Sequence, residues 1–332
     1  MNRRVWAVAR VLIGLGILVV VLWRMGTGAS LAALRSLDAA TPAIALGIGL
    51  FTTVLSALRW RLVAGRLGLR LPLGAAVADY YRALFLNAAL PGGVLGDVHR
   101  AVRHGKDSGD LGRGVRAVVL ERTAGQVALI AVVAIALPAD PALFRHGRGA
   151  PLGLLLLVAA AVLGAAVIAL VAAARWGRYA ARLRRALSAA RTDLRLGLLA
   201  RDTWPAVAGL SLAVLAGHLG MFLVAARVTG TRAPVGQLVP LFLLALLAMA
   251  LPVNIGGWGP REGVLALAFS SAGLSAEHGL AVSVVYGVLA FVSSLPGAGV
   301  LLLRQARPRP AGTELELQEC VLPECEAAHR GP

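Results

Sequence analysis

The chain has 332 residues, of which 58% are hydrophobic and only 15% are charged. Its apolar runs have helical length and are apolar on every side, which excludes a transmembrane β-barrel and indicates an all-α polytopic membrane protein. The net charge is +17. Because the basic residues lie in short loops between apolar runs, cytoplasmic loops explain this charge better than nucleic-acid binding, which we do not expect.

Six apolar runs are predicted to span the membrane. A helix rises about 1.5 Å per residue, so about 20 residues cross a hydrocarbon layer of about 30 Å. In chain order the runs are residues 5–23, 41–58, 115–137, 151–174, 205–226 and 279–303. The first run is interpreted as a span and not as a signal peptide, because no convincing small-residue cleavage pattern follows it.

The distribution of basic residues assigns each connecting segment to one of the two faces of the membrane. One face carries 22 Lys and Arg residues and the other carries six. By the positive-inside rule the richer face is cytoplasmic, which places both termini in the cytoplasm. The membrane domain is expected to cover residues 1–303, and the Pro-rich and then acidic segment 304–332 is predicted to be a disordered cytoplasmic tail.

Two glycine- and proline-rich segments interrupt the apolar sequence, LPGGVLGD at 90–97 and LPVNIGGWGPRE at 251–262. Irregular backbone at membrane depth must be covered by protein or line a cavity, and paired breaks are typical of transporter sites. The basic loops around 71–98 share one face, so that segment must enter and return. The segment 233–278 does the same from the other face.

These constraints predict about six spanning helices plus two oppositely oriented re-entrant helical hairpins, and they suggest an inverted repeat. Eight or more spans is the alternative. Residues 175–201 carry eight Arg with Leu at helical spacing, and they are interpreted as an amphipathic helix along the inner leaflet or as a solvated connector. Both Cys residues lie in the tail without metal-site spacing, so no metal and no cofactor is expected.

The second break holds the strongest candidate site. Gly256 and Gly257 allow the backbone to turn, and Pro260 suits the first position of a helix. The free N–H groups of that helix, together with Arg261, would bind a phosphate-sized anion, with Glu262 at the same end. Alternatively, Arg261 and Glu262 brace a structural hairpin.

Other polar residues of the two breaks have two interpretations each. Trp258 either packs over its break or stacks on substrate, and Asn254 either satisfies backbone groups or contacts a head group. In the first break, Asp97 is predicted to N-cap a short helix that carries Arg100. Arg100 either contacts lipid phosphate or is an ordinary cytoplasmic-face residue.

Further charged residues are interpreted as structural ion pairs. Asp79 and Arg82 are three apart on a helix and can pair. Glu121 and Arg122 lie near enough to a span end to reach the interface, with Glu121 as a partner for Arg82 or Arg100. No P-loop, nucleophile elbow or zinc-protease motif occurs, so no catalytic residue is predicted.

Four short motifs together resemble the transmembrane region of lysyl-phosphatidylglycerol synthase, a flippase-like membrane family. They are ALRWR at 57–61, LPGG at 90–93 leading to GDVHR at 96–100, LER at 120–122 and GGWGPRE at 256–262. The resemblance implies a bacterial inner-membrane protein that moves an anionic or modified lipid between leaflets. Full-length synthases add a cytosolic aminoacyl-transferase domain, which we expect to be absent here together with the synthase activity.

The leading hypothesis is therefore a translocase for an anionic or polyprenyl-phosphate-type lipid, whose phosphate meets Arg261 and Arg100. Membrane lipids are its expected partners, and a homo-oligomer or a cell-envelope enzyme partner is open. Two alternatives stay open as well. One is an intramembrane enzyme acting on a lipid-linked phosphate or sugar, and the other is a non-catalytic envelope scaffold.

Overall fold

The computed structural model of the protein describes residues 38–90, 93–136, 188, 192–194, 200–250 and 260–305. In chain order its helices are α1 Ala40–Arg66, α2 Leu73–Ala89, α3 Leu95–Asp107, α4 Leu111–Ala136, α5 Trp204–Val228, α6 Val235–Ala248, α7 Pro260–Ser271, α8 Ala276–Ser294 and α9 Pro296–Gln305. The predicted spans at 5–23 and 151–174 lie outside the described residues, as do most of 175–201 and the tail beyond residue 305.

Four stretches are long and apolar enough to cross a membrane: α1, α4, α5 and Ala276–Leu303, which comprises α8 and the start of α9. They correspond to the four predicted spans that fall on described residues. Between 28% and 39% of each spanning window is buried inside the protein, so most of each surface is left for lipid. The predicted span 279–303 is not one continuous helix. It is divided at Leu295, because Pro296 has no N–H for the preceding helix and starts a new one.

Helices α2 and α3 form the first hairpin. Asn87, near the end of α2, donates from Nδ2 to Asp97 Oδ2 at 3.0 Å near the start of α3, and the two helices therefore run antiparallel. Between them the chain turns through Gly93, which has a φ of 61°. Helix α3 then runs antiparallel to α4, since Asp97 pairs with Arg122 while Gly105 lies against Gly114.

Helices α6 and α7 form the second hairpin. Gln237 at the start of α6 donates from Nε2 to the Ala272 carbonyl oxygen, just after α7, at 3.0 Å. Helix α7 then runs antiparallel to α8, because Ser283 reaches Glu262 while Gly279 lies against Leu265. Both halves thus repeat one order, a helical hairpin followed by a longer helix packed against its second arm.

The two hairpins open at opposite ends of α5. Asp202, just before α5, pairs with Arg66 at the end of α1, where the first hairpin begins. The second hairpin begins at Val235, a few residues after α5 ends at Val228. This is the relative direction that the charge pattern predicts for two opposed hairpins.

Aromatic stacking builds the core around the second hairpin. Phe222 of α5 lies between Tyr286 of α8 and Phe242 of α6, with ring centroids 3.7 Å and 4.9 Å away. All three side chains are almost completely buried. Stacked aromatic pairs add about 0.5–1.5 kcal/mol each beyond the burial of their area, so this column fixes α5, α6 and α8 relative to one another.

Candidate functional site

A cavity of about 270 Å³ is lined by residues of both hairpins and of α1, α4, α5 and α8. Gly93 of the first break, Met249 just before the second break and Arg261 within it are among the lining residues. A single water needs roughly 15 Å³ of such space. The cavity can therefore accept a hydrated polar group, and both breaks have access to it.

Polar side chains line much of this cavity, and three of them are arginines. Those on described residues are Thr52, Thr53, Ser56, Arg59, Tyr80, Asn87, Arg122, His218, Arg261, Tyr286, Ser293 and Ser294. Among the described lining residues there is no Asp or Glu. Each of these arginines is paired with a carboxylate that does not itself line the cavity: Arg59 with Glu121, Arg122 with Asp97 and Arg261 with Glu262. Three guanidinium groups at the wall of a polar cavity favour an anionic occupant.

Glu121 is the centre of a charged cluster beside the cavity. Its side chain is fully buried, and Oε1 accepts from Arg59 Nε at 3.0 Å and from the Tyr80 hydroxyl at 3.2 Å. The other oxygen, Oε2, accepts from Arg100 Nη2 at 3.0 Å. One carboxylate thus joins α1, α2, α3 and α4, and Arg100 is one of the two partners that the sequence predicts for Glu121.

Arg100 is buried in this cluster and does not line the cavity. Its guanidinium lies between two aromatic rings, 4.5 Å from the Trp60 centroid and 4.3 Å from the Tyr80 centroid. Desolvated cation–π contacts of this kind contribute about 2 kcal/mol each. Arg100 thus positions the first hairpin, and the phosphate contact that the sequence suggested would require it to leave both rings.

Asp97 completes the cluster. It lies within the first turn of α3, whose N-cap is Val94 without a side-chain cap bond, so the predicted N-cap is wrong. Its carboxylate instead accepts from Arg100 at 3.0 Å and Arg122 at 2.8 Å. We call Arg59, Asp97, Arg100, Glu121 and Arg122 the arginine–carboxylate cluster, which has three cations against two anions and a net charge of +1.

Asp79 and Arg82 form a separate buried pair. Arg82 Nη2 lies 2.7 Å from Asp79 Oδ1, as their three-residue spacing predicts. Neither residue lines the cavity. The pair stabilises α2, where it faces Arg103 of α3 at 3.8 Å.

The second hairpin contributes Arg261 and Glu262. Pro260 is the first residue of α7, as predicted. Arg261 Nε donates to Glu262 Oε1 at 2.9 Å and to Ser283 Oγ at 2.9 Å, and the guanidinium lies 5.1 Å from the Tyr286 ring. Glu262 is thus paired with its own neighbour, and Arg261 also lines the cavity.

The remaining predicted site residues fall on the second break. Gly256, Gly257, Trp258 and Asn254 lie outside the described residues, and their contacts are left as predictions. No group of three His, Cys, Asp or Glu in the described ranges is placed to hold a metal ion.

Three site residues, Arg59, Trp60 and Tyr80, were missed in the sequence, whereas His218 was interpreted as a hydrogen-bonded packing residue in preference to a proton relay. Arg59 and Trp60 look like an interfacial pair at the end of a span, yet both are buried. Tyr80 gives no signal except its place on a hairpin arm. His218 bonds through Nδ1 to the Tyr286 hydroxyl at 3.1 Å. Gly125 is a feature of the sequence that relates to the buried position of Arg59. A Cβ at Gly125 would lie 3.1 Å from Arg59 Nη1, so the glycine leaves space for the guanidinium.

Comparison with known proteins gives one clear result. The family model described as "Lysylphosphatidylglycerol synthase TM region" matches residues 7–297. Neither curated proteins nor solved structures give a match to the chain. The matched range includes both hairpins, the arginine–carboxylate cluster and every described residue that lines the cavity. The chain therefore belongs to the lysylphosphatidylglycerol synthase transmembrane-region family.

Proposed function

We propose that this chain moves an anionic lipid, of the phospholipid or polyprenyl-phosphate type, between the leaflets of the bacterial inner membrane. The observation that carries the proposal is the cavity lined by both hairpins, where the guanidinium groups of Arg59, Arg122 and Arg261 line the wall and their paired carboxylates do not. A lipid phosphate entering this space would gain charge-assisted hydrogen bonds. The hydrocarbon tails would stay outside, in the bilayer.

The arrangement of the hairpins supports the same proposal. They begin at opposite ends of α5, and residues of both line one cavity. If each is a re-entrant hairpin of an inverted repeat, a rocking motion of one half against the other would open the cavity to each leaflet in turn. We propose this mechanism for a multi-pass protein with cytoplasmic termini, as the loop charges predict.

Transport can be tested with two variants that separate the charge of Arg261 from its pairing. Glu262→Gln keeps the Arg261 cation, whereas Arg261→Gln combined with Glu262→Gln removes both charges together and leaves no unpaired buried ion. We expect the double variant to move lipid about tenfold more slowly or worse, because it loses a charge-assisted contact of about 1.5–3 kcal/mol. We expect Glu262→Gln to keep most of the rate.

The assay is inward and outward movement of fluorescent phosphatidylglycerol, and separately of a labelled polyprenyl phosphate, in liposomes containing the purified protein. Failure of the wild-type protein to move either lipid would reject the translocase. Equal rates in both variants and the wild type would show that Arg261 only braces the hairpin. Lipid turnover that Glu262→Gln abolishes would favour the enzyme, and a co-purifying envelope protein without lipid movement would favour the scaffold.

A further inference from the structure

Helix α3 has two faces, only one of which packs against the part of the protein that the structure describes. Gly96, Arg100 and Ala101 are buried against α2 and α4. On the opposite side Leu95 is 47% exposed and Val98 is 54% exposed. Val102 continues this apolar stripe one helical turn further, and His99, Arg103 and Lys106 form a basic stripe directly beside it. We refer to these six residues as the outer face of α3.

The depth of this outer face follows from the pairing of α3 with α4. Asp97 is level with Arg122, and Gly105 is level with Gly114. Those two positions on α4 are eight residues apart, which is about 12 Å along a helix. Because α4 is a candidate span that begins at Leu111, the Lys106 end lies near the entrance of the span. The apolar Leu95 end lies about 12 Å further in.

The basic stripe presents cationic side chains at the surface of α3. The Arg103 side chain is 33% exposed, and its Nε lies 3.8 Å from Asp79 Oδ2 and 3.6 Å from Asp107 Oδ2. Lys106 is exposed. Counting Arg82, which pairs with Asp79, the charged groups around this stripe are three cations and two anions. The net charge is +1, which suits one anionic group.

We propose that the outer face of α3 binds one anionic phospholipid of the surrounding bilayer, in the leaflet from which the first hairpin starts. The phosphate contacts Arg103 and Lys106 at the membrane surface, and an acyl chain lies along Leu95, Val98 and Val102. Depth and charge together select this occupant. An apolar stripe that descends about 12 Å beside a spanning helix is out of reach of a cytosolic protein, and a basic rim at its upper end attracts anionic lipid. This site is separate from the cavity and does not depend on transport.

The test places a bimane fluorophore at the outer face. Val98→Cys is labelled in a chain with Cys320→Ser and Cys325→Ser, and reconstituted into phosphatidylcholine vesicles containing 20 mol% brominated phosphatidylglycerol as a chosen composition. The reference position is Val119→Cys on α4, where the native side chain is 56% exposed. We expect the quenching at Val98 to be stronger than random mixing of the two lipids would give. The quenching at Val119 should equal the value for random mixing.

Charge variants then identify the head-group contacts. Arg103→Gln with Lys106→Gln should lower the preference for phosphatidylglycerol at Val98 about fivefold for each charge removed. The matched control, Arg61→Gln with Arg70→Gln, changes the net charge equally on exposed residues and should leave the preference unchanged. Equal effects of the two double variants would overturn the site.

Two further outcomes would also overturn the proposal. If aqueous iodide quenched the bimane at position 98 more strongly than brominated lipid did, the outer face of α3 would lie in water. Lipid contact that appears only when the chain is cut after Gln305 would show that the tail, which carries five Glu, covers this face instead. Lipid quenching that is the same with and without the tail supports the site.

Discussion

Glu121→Gln is expected to destabilise the protein by about 3–5 kcal/mol, because removing one partner of a buried ion pair leaves uncompensated charge. Glu121 is the acceptor for Arg59 and for Arg100, and all three side chains are almost fully buried. A neutral amide keeps the shape but cannot balance two guanidiniums. The measurement is the unfolding midpoint of the detergent-solubilised protein followed by tryptophan fluorescence.

Asp202→Asn is the control for this prediction. Asp202 also pairs with an arginine, Arg66, but that pair lies on the surface. The Arg66 side chain holds the pKa of Asp202 below its ordinary value through a hydrogen bond, yet solvent screens such pairs strongly. We expect no measurable shift of the midpoint. If Glu121→Gln shifted it no further than Asp202→Asn, the central role of Glu121 would be wrong.

Gly96→Ala is expected to open the first hairpin and to cost about 3 kcal/mol, the upper end of ordinary overpacking. A Cβ at Gly96 would lie 2.1 Å from the carbonyl oxygen of Ala83 and 2.7 Å from its Cα. These are backbone atoms, so no side-chain rotation relieves the clash. The Gly96 N–H bond to Asn87 Oδ1, 2.7 Å long, would be strained at the same time.

Gly263→Ala, on the similarly short helix α7, is expected to leave the stability of the protein unchanged or to raise it. A Cβ there meets nothing within 4 Å, and Ala is favoured over Gly inside a helix by about 0.5–1 kcal/mol. Its unfolding midpoint should be equal to or above that of the wild type. The same measurement serves both variants, and a Gly96→Ala protein as stable as Gly263→Ala would contradict the close approach of α2 and α3.

The sequence was sufficient for the four candidate spans that fall on described residues. Hydropathy located α1, α4 and α5 because a span must be apolar over its whole length. The charge of the flanking loops predicted that residues 71–98 enter and return, since both flanking loops belong to the same face. Pro260 was predicted to start a helix because proline suits the first helical turn, and it is the first described residue of α7.

The contacts of the site were not predictable in the same way. Arg59 and Trp60 have the composition of an interfacial pair, and only the meeting of four helices shows that both are buried. Asp97 has the residue type and position of an N-cap, but Arg100 and Arg122 attract its carboxylate more strongly than free N–H groups do. Such choices depend on partners 3 to 62 residues away along the chain.

The sharing of Glu121 by Arg59 and Arg100 also restricts how this protein can change during evolution. A two-residue pair such as Arg66–Asp202 can exchange its charges by two substitutions. Exchanging Arg59 and Glu121 would instead place a new cation against Arg100. The charges of the cluster can therefore be exchanged only if several of its residues change together. Each member restricts which substitutions the others tolerate, although α1, α3 and α4 are separate in sequence.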